Sequence, residues 1–315
     1  MNTTLTLVRR ELLEHRSIFF APGILTLIIL AASLFAVAKG LSVGSEVNYA
    51  LDELRSADPE RVRVMLRSLL SVSLIPFAVP FNLLMSAVAS FYLLDSLYGE
   101  RKDRSVLFWR SLPVSDTQSV VAKLLTGLVA VGLVEMVAVI IAFALNGIIL
   151  SVGLLALGEN PITLLWLHAP WISGPLFLLY VVMAQAIWFA PFAAWLLLVS
   201  SAARNAPFLW ALGIPAALMY LEWLLFRTQN LIDWIGGHVR DFGYYALNTD
   251  DDEVRFSSDD FEDIFDDFGD IEAPLSLLEI PDPIALLTAP GLWIGLVIAA
   301  VFTVGAVRLR RYHDV

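Results

Sequence analysis

The 315 residues are 58% hydrophobic and only 16% charged, with a mean hydropathy of +0.74, which excludes an ordinary soluble domain and indicates an integral membrane protein. The formal net charge is −11, but 16 of the 31 acidic residues fall between Asn230 and Pro290, so the acidity is local. The absence of cysteine excludes disulfides, thiolate metal sites and cysteine nucleophiles.

The first 17 residues predict a short helix at the membrane interface. Its two faces carry opposite kinds of side chain, with Leu5, Val8 and Leu12 on one and Arg10, Glu11 and Glu14 on the other. The uncharged stretch Ser17–Ala38 predicts the first span, because 22 helical residues cross about 30 Å of hydrocarbon. A signal peptide is the alternative, because Ala36 and Ala38 form an A-x-A pattern.

The polar stretch Lys39–Ser68 predicts a helical loop on the outer side, with Asp58 as the N-cap of a helix that starts at Pro59. Its five basic residues argue against an external position, although five acidic residues match them. Leu69–Leu94 is uncharged and predicts the second span. We expect that span to be kinked or irregular in its outer half because it contains two prolines, Pro76 and Pro80.

A charged and aromatic segment, Glu100–Asp116, separates the second and third apolar stretches. Under the positive-inside rule, four basic residues near the span ends place it in the cytoplasm: Arg101, Lys102, Arg104 and Arg110. The segment also contains four apolar residues, which predict that it lies on the membrane surface or fills a groove in a partner: Phe108, Trp109, Leu112 and Pro113. Ser115 and Asp116 predict the start of the next helix.

The run Tyr98–Leu125, YGERKDRSVLFWRSLPVSDTQSVVAKLL, resembles the loop after the second span of ABC-2 type permeases, the membrane subunits of ATP-binding-cassette exporters. The resemblance covers these 28 residues, and elsewhere only the spacing of the spans agrees with it. It implies that the loop 98–118 is a coupling element that docks on an ATPase through Glu100, Arg101, Lys102, Asp103, Arg104, Phe108, Trp109, Arg110, Leu112 and Pro113. The alternative is a solvated cluster of charges beside the membrane.

Ser119–Gly153 predicts the third span, in which Lys123 and Glu135 are charged. Lys123 can snorkel to the inner interface. Glu135 lies deeper, where a carboxylate is costly. Three roles are open to it: lining a pathway, pairing across a dimer interface, or staying protonated beside Ser or Gln of another span.

Three more spans follow, at Leu176–Ser200, Phe208–Phe226 and Gly291–Val307. Before them, Asn160–Pro175 predicts an outer interfacial segment or half-helix without a full crossing. Ser201–Ala206 predicts a tight inner turn. Glu222, near the outer end of the fifth span, is expected to reach water or Arg227.

The hydrophilic stretch 228–290 predicts an acidic subdomain outside the cytoplasm. Its densest part, Asp250–Asp270, offers many oxygen ligands, but the spacing fits no EF-hand loop. Solvated charge, or attraction of cationic substrates, is therefore favoured over calcium binding. Three arginines after the last span predict a cytoplasmic tail: Arg308, Arg310 and Arg311.

The sequence argues against catalysis by this chain. None of the three lysines follows a glycine, which excludes a P-loop. HExxH is absent and the four histidines lie in separate segments, which argues against zinc or serine hydrolysis. We expect no catalytic, cofactor-binding or metal-binding residue in this chain. ATP and magnesium are expected to bind to a partner ATPase.

These elements predict an all-α integral membrane protein with six transmembrane helices, an N-terminal interfacial helix and an ABC-2 exporter-like fold. Residues 1–227 would hold spans one to five and the coupling loop, 228–290 the extracytoplasmic subdomain, and 291–315 the sixth span and tail. We expect the protein to lie in the inner (cytoplasmic) membrane with both termini in the cytoplasm. The expected partners are an ABC ATPase, a second permease copy or paralogue, and membrane lipids; nucleic acid is not an expected partner. The alternatives are a membrane scaffold or sensor without transport, and an ion-driven secondary transporter, for which inverted repeats are not evident.

Overall fold

The computed structural model describes residues 3–42, 51–52, 55–103, 114–247, 277 and 281–313, and every regular element in them is helical. Helix α1 covers Thr3–Glu14 and helix α2 covers Ser17–Ser42, in agreement with the predicted interfacial helix and first span. The two are separate because the chain turns at residues 15–16.

Helix α3 runs from Pro59 to Lys102, so residues 59–68 of the polar stretch and the second span form one helix of 44 residues. Asp58 occupies the N-cap position as predicted, although its side chain makes no cap hydrogen bond. The two prolines inside the span do not interrupt α3, so the predicted irregularity is not a break in the helix.

The third span begins with α4, Asp116–Leu125, passes through a π-helical segment, Thr126–Ala130, and ends in α5, Val131–Ala156. Ser115 starts it with a capping box: its Oγ accepts from the Gln118 N–H at 3.2 Å, and Gln118 Oε1 accepts from the Ser115 N–H at 3.1 Å. The predicted helix start is therefore confirmed.

The π-helical segment brings the third span very close to α3. A Cβ added to Gly127 would lie 2.8 Å from Leu93 Cγ, closer than real Cβ contacts. Glycine is therefore the residue that lets these two helices approach at this point. The segment also lies between Lys123 and Glu135, the two charged residues of this span. Because its turn is wider than an α-helical turn, it changes the direction around the helix axis in which Glu135 points relative to Lys123.

The segment predicted as the fourth span, Leu176–Ser200, is divided into two helices, a break that was not predicted from the sequence. Helix α6, Ser173–Trp188, and helix α7, Ala190–Ala202, are bent by 56° relative to each other. Pro191 near the start of α7 explains the difference, because proline has no N–H to continue the helical hydrogen bonds and its ring clashes with the preceding turn. His238 Nε2 lies 2.9 Å from the Trp188 carbonyl oxygen at the break and satisfies that group.

The remaining helices are α8, Pro207–Phe226, α9, Asn230–Leu247, α10, Pro283–Thr288, and α11, Pro290–His313. The buried face of α9, which includes His238, Phe242 and Ala246, packs near the break of the fourth span. Between α5 and α6 the chain forms only a short π-helical segment, Ile162–Trp166, so the predicted absence of a crossing there is confirmed. The acidic run Asp250–Asp270 lies outside the described residues.

Five helices among the described residues are long and apolar enough to cross a membrane, and the bent pair α6–α7 makes a sixth if it is one span. The chain is therefore an all-helical, multi-pass membrane protein. The predicted count of six is one of the two counts that this structure allows.

Candidate functional site

The predicted coupling residues divide into two groups. Glu100, Arg101, Lys102 and Asp103 belong to the end of α3 and are described, whereas Arg104, Phe108, Trp109, Arg110, Leu112 and Pro113 lie outside the described residues. Lys102 and Asp103 are exposed, but Glu100 and Arg101 turn towards the helix bundle. The base of the loop is therefore part of the bundle.

Lys123 is the centre of a buried cluster of charges. Its Nζ lies 3.0 Å from both carboxylate oxygens of Glu11 and 3.0 Å from Glu100 Oε1. Lys123 is 2% exposed and Glu11 is 3% exposed. The prediction that Lys123 snorkels to the interface is therefore wrong, because two carboxylates surround its ammonium group and no water is needed to solvate it.

Arg310 of α11 extends the cluster to both ends of the loop. Its NH1 lies 3.0 Å from Glu100 Oε2, before the loop, and its Nε lies 3.3 Å from Asp116 Oδ1, after the loop. Arg310 is only 5% exposed. We call the five residues Glu11, Glu100, Asp116, Lys123 and Arg310 the charge network.

Arg10 lies at the edge of the charge network. Its NH2 lies 3.4 Å from Glu11 Oε1 and 3.8 Å from Glu100 Oε1, and its Nε lies 2.9 Å from Glu14 Oε1. Buried charges are costly unless they are paired in this way, and deleting one partner typically costs about 3–5 kcal/mol. The arrangement also places α1 and the end of α11 at the same end of the bundle.

Glu11 is ionised within the network. Burial acts to raise its pKa, but the attraction and hydrogen bond of Lys123, with smaller contributions from Arg10 and Tyr92, outweigh burial and hold the pKa of Glu11 below its ordinary value of 4.5. The Tyr92 hydroxyl donates a hydrogen bond to Glu11 Oε2 at 3.0 Å. The sequence had placed Glu11 on the solvated face of α1; the structure buries it, because the Lys123 ammonium beneath α1 requires a counter-ion.

Arg101 joins the base of the loop to the fourth span. Its NH2 donates to the carbonyl oxygens of Ser200 at 2.6 Å and Ala203 at 2.8 Å, at the end of α7. The Ser200 hydroxyl in turn accepts from the backbone N–H groups of Leu97 and Tyr98. The C-terminal end of α3 is therefore held to the end of α7 by hydrogen bonds in which α3 supplies the donors.

A second polar cluster lies inside the spans. Asn82 Nδ2 of α3 donates to Glu135 Oε1 of α5 and to Gln185 Oε1 of α6, both at 3.0 Å. We call Asn82, Glu135 and Gln185 the polar triad. The sequence analysis identified Glu135 and gave glutamine of another span as one kind of partner. It did not identify Asn82 or Gln185, whose only distinguishing feature in the sequence is an amide side chain within an apolar stretch.

Glu222 has a structural role. It accepts hydrogen bonds from the Thr228 hydroxyl at 2.8 Å and from the backbone N–H groups of Asn230 and Leu231 at 2.7 and 3.0 Å. It therefore caps the start of α9, whereas the expected partners were water or Arg227. Arg227 instead stacks on the Trp223 ring, 4.5 Å from its centre.

Among the described residues, no group of three or more His, Cys, Asp or Glu side chains is arranged to hold a metal ion. Comparisons with protein-family models, with curated proteins and with solved structures found no match for this chain.

Proposed function

We propose that this chain is the permease subunit of an ABC-2 type exporter, which works as a dimer and couples through the loop 98–118 to a separate cytoplasmic ATPase. The observation that carries the proposal is the charge network. A loop whose two ends are joined to each other and to two other helices, α1 and α11, by ion pairs is suited to pass a displacement into the bundle.

The contacts define how such a displacement would travel. Arg310 bridges Glu100 and Asp116, so the two ends of the loop move together and take the end of α11 with them. Lys123 transmits the same movement to α1 through Glu11. Arg101 adds the fourth span, because it holds the carbonyl oxygens at the end of α7.

The orientation belongs to the same proposal. The charge network would lie at the cytoplasmic side of the inner membrane, since the basic residues of α1, the loop and the tail cluster there. The acidic stretch 228–290 would then lie on the opposite side. ATP and magnesium would be bound by the partner ATPase, and the second permease would be an identical copy or a paralogue, because ABC ATPases work as pairs.

The test is association with an ATPase. An ABC ATPase of the same genome, co-expressed with the tagged chain, should co-purify with it and show ATP turnover that responds to the permease. Replacing Phe108 and Trp109 by alanine should reduce the recovery of the ATPase several-fold, because aromatic residues usually carry much of the binding energy at protein interfaces. Trp171→Ala, which alters an exposed tryptophan near α6, is the matched control.

The outcome separates the alternatives. Wild-type recovery of the ATPase by the Phe108/Trp109 variant would contradict docking through this loop. Binding of an ATPase without ATP-driven transport would favour a scaffold, and transport that persists without any ATPase would favour a secondary transporter.

A further inference from the structure

A single carboxylate and two amides meet where three spans pass each other. Glu135 and Gln185 each offer an oxygen to the same Asn82 nitrogen at 3.0 Å, so the two oxygens are at most about 6 Å apart. All three side chains are half-buried, so part of the polar surface stays open. The ion pairs among the described residues all use other carboxylates, which leaves Glu135 without a basic partner there.

We infer that the polar triad binds the ammonium group of the exported substrate, an amphipathic organic cation with at least two N–H donors. The inference rests on the proposed export function, since it names the class of substrate. Two acceptor oxygens no more than about 6 Å apart can both lie within 3 Å of one nitrogen, as they already do with Asn82. An alkylammonium nitrogen has three N–H donors and a positive charge, and it would take the place of the Asn82 amide between the two oxygens.

The charge favours a monovalent cation. An ionised carboxylate at the centre of a membrane helix costs about 2.5–3.5 kcal/mol even on the most lenient scale, and one bound ammonium group would neutralise it. Calcium takes six to eight oxygen ligands, usually with several carboxylates, and the polar triad supplies one carboxylate and two amides. A single positive charge therefore matches this site better than a divalent ion.

Aromatic side chains on α3 and α5 suit the apolar part of such a substrate. Phe77, Phe81 and Phe143 come from the same two helices as Asn82 and Glu135. The Phe77 ring contacts the other two rings at centroid distances of 6.2 and 5.6 Å. These rings lie within two helical turns of the polar triad along α3 and α5. An alkyl or aromatic tail beside them would stay in an apolar environment while its ammonium group reaches the oxygens.

The binding test uses the full chain in lipid nanodiscs without an ATPase, so its result does not depend on coupling. Dodecylammonium is the probe at pH 8, where a primary amine is charged. It should raise the thermal unfolding midpoint of the wild type, because a ligand that binds the folded state stabilises it. Dodecanol and dodecyltrimethylammonium, which lack the charge and the N–H donors respectively, should give much smaller shifts.

Variants of the polar triad test whether dodecylammonium binds there. Glu135→Gln keeps the shape of the side chain and should weaken the apparent affinity for dodecylammonium at least tenfold, and Gln185→Leu should weaken it several-fold. Asp95→Asn, which removes an exposed carboxylate of α3 outside the polar triad, should bind like the wild type. Equal shifts for the wild type and both triad variants, or equal shifts for all three probes, would overturn the inference.

Discussion

Lys123 Nζ lies 3.0 Å from Glu100 Oε1, and only 3% of the lysine side chain is exposed. This contact joins the start of the third span to the end of the second across the loop 98–118. Because Lys123 also holds both oxygens of Glu11, one ammonium group connects three helices at the base of the loop. The stability of the bundle and the position of the loop therefore depend on the same side chain.

Replacing Lys123 by methionine should destabilise the protein strongly. The change removes the closest cation from the buried Glu11 and one of the two cations that lie 3.0 Å from Glu100, and breaking a buried pair in this way costs about 3–5 kcal/mol. Thermal unfolding in lipid nanodiscs measures the loss. Lys102→Met, at an exposed position one helical turn or less from Glu100, is the control and should change the midpoint little. Equal midpoints for the two variants would show that Lys123 is not a structural centre.

The double variant Lys123→Met/Glu11→Gln refines this prediction. Neutralising Glu11 removes the buried carboxylate that has lost its closest cation, so the double variant should recover part of the stability that Lys123→Met loses. A purely additive loss would mean that the two residues do not interact in the folded protein.

Stability should decrease when the pH falls below about 4.5, and Glu11 should contribute to that decrease. The folded-state pKa of Glu11 is lowered from 4.5, so at pH values between the folded and unfolded pKa the unfolded state binds more protons. Its contribution is present above the unfolded pKa and is lost as the pH falls through the folded pKa. Unfolding midpoints measured between pH 6 and pH 3 should fall less steeply for Glu11→Gln than for the wild type.

Glu14→Gln is the matched control for that titration, because 47% of the Glu14 side chain is exposed. It should retain the wild-type pH dependence. A Glu11→Gln profile parallel to the wild-type profile would contradict the assignment of an ionised, paired Glu11.

His238 should stabilise the break of the fourth span. In His238→Ala the Trp188 carbonyl oxygen loses its partner in an apolar environment, which typically costs about 1–3 kcal/mol. The loss of the His238 ring from its stack on the Trp188 ring, 4.8 Å between centres, adds to the effect. Val239→Ala, at an exposed neighbouring position, should be nearly silent in the same thermal unfolding assay. Similar midpoints for the two variants would remove His238 from this role.

The orientation can be tested with single cysteines, because the chain has none of its own. We expect a membrane-impermeant thiol reagent to label intact cells carrying cysteine at Ser257, and not those carrying it at Ser105 or Tyr312. After the cells are opened, all three positions should react. Labelling at Ser105 without labelling at Ser257 in intact cells would invert the orientation.

The sequence predicted the elements whose signals are local. Long uncharged stretches place the spans because crossing the hydrocarbon requires about 20 apolar residues. Ser115 and Asp116 predict the start of α4 because the N-cap is satisfied by residues within one turn. These parts of the fold follow from residues that are close together in the chain.

The parts that were missed depend on residues far apart in the chain. Glu11 and Lys123 are separated by 112 positions, and neither has a neighbour in sequence that indicates the other. The break at Phe189 could not be placed because proline is compatible with a continuous span when it lies inside the helix, as Pro76 and Pro80 do in α3. A spanning helix tolerates proline when its surroundings supply the missing hydrogen bonds. At the break beside Phe189, the Trp188 carbonyl oxygen finds its partner in His238, which belongs to α9.

The measurement that tests coupling most directly is permease-stimulated ATP hydrolysis by the reconstituted complex of this chain with its ATPase. Arg310 bridges the two ends of the loop, whereas Arg308, two residues earlier on α11, is exposed. We predict that Arg310→Gln lowers the stimulated turnover at least tenfold while the complex still assembles, and that Arg308→Gln keeps wild-type turnover. Unchanged stimulation in an assembled Arg310→Gln complex would contradict coupling through the charge network.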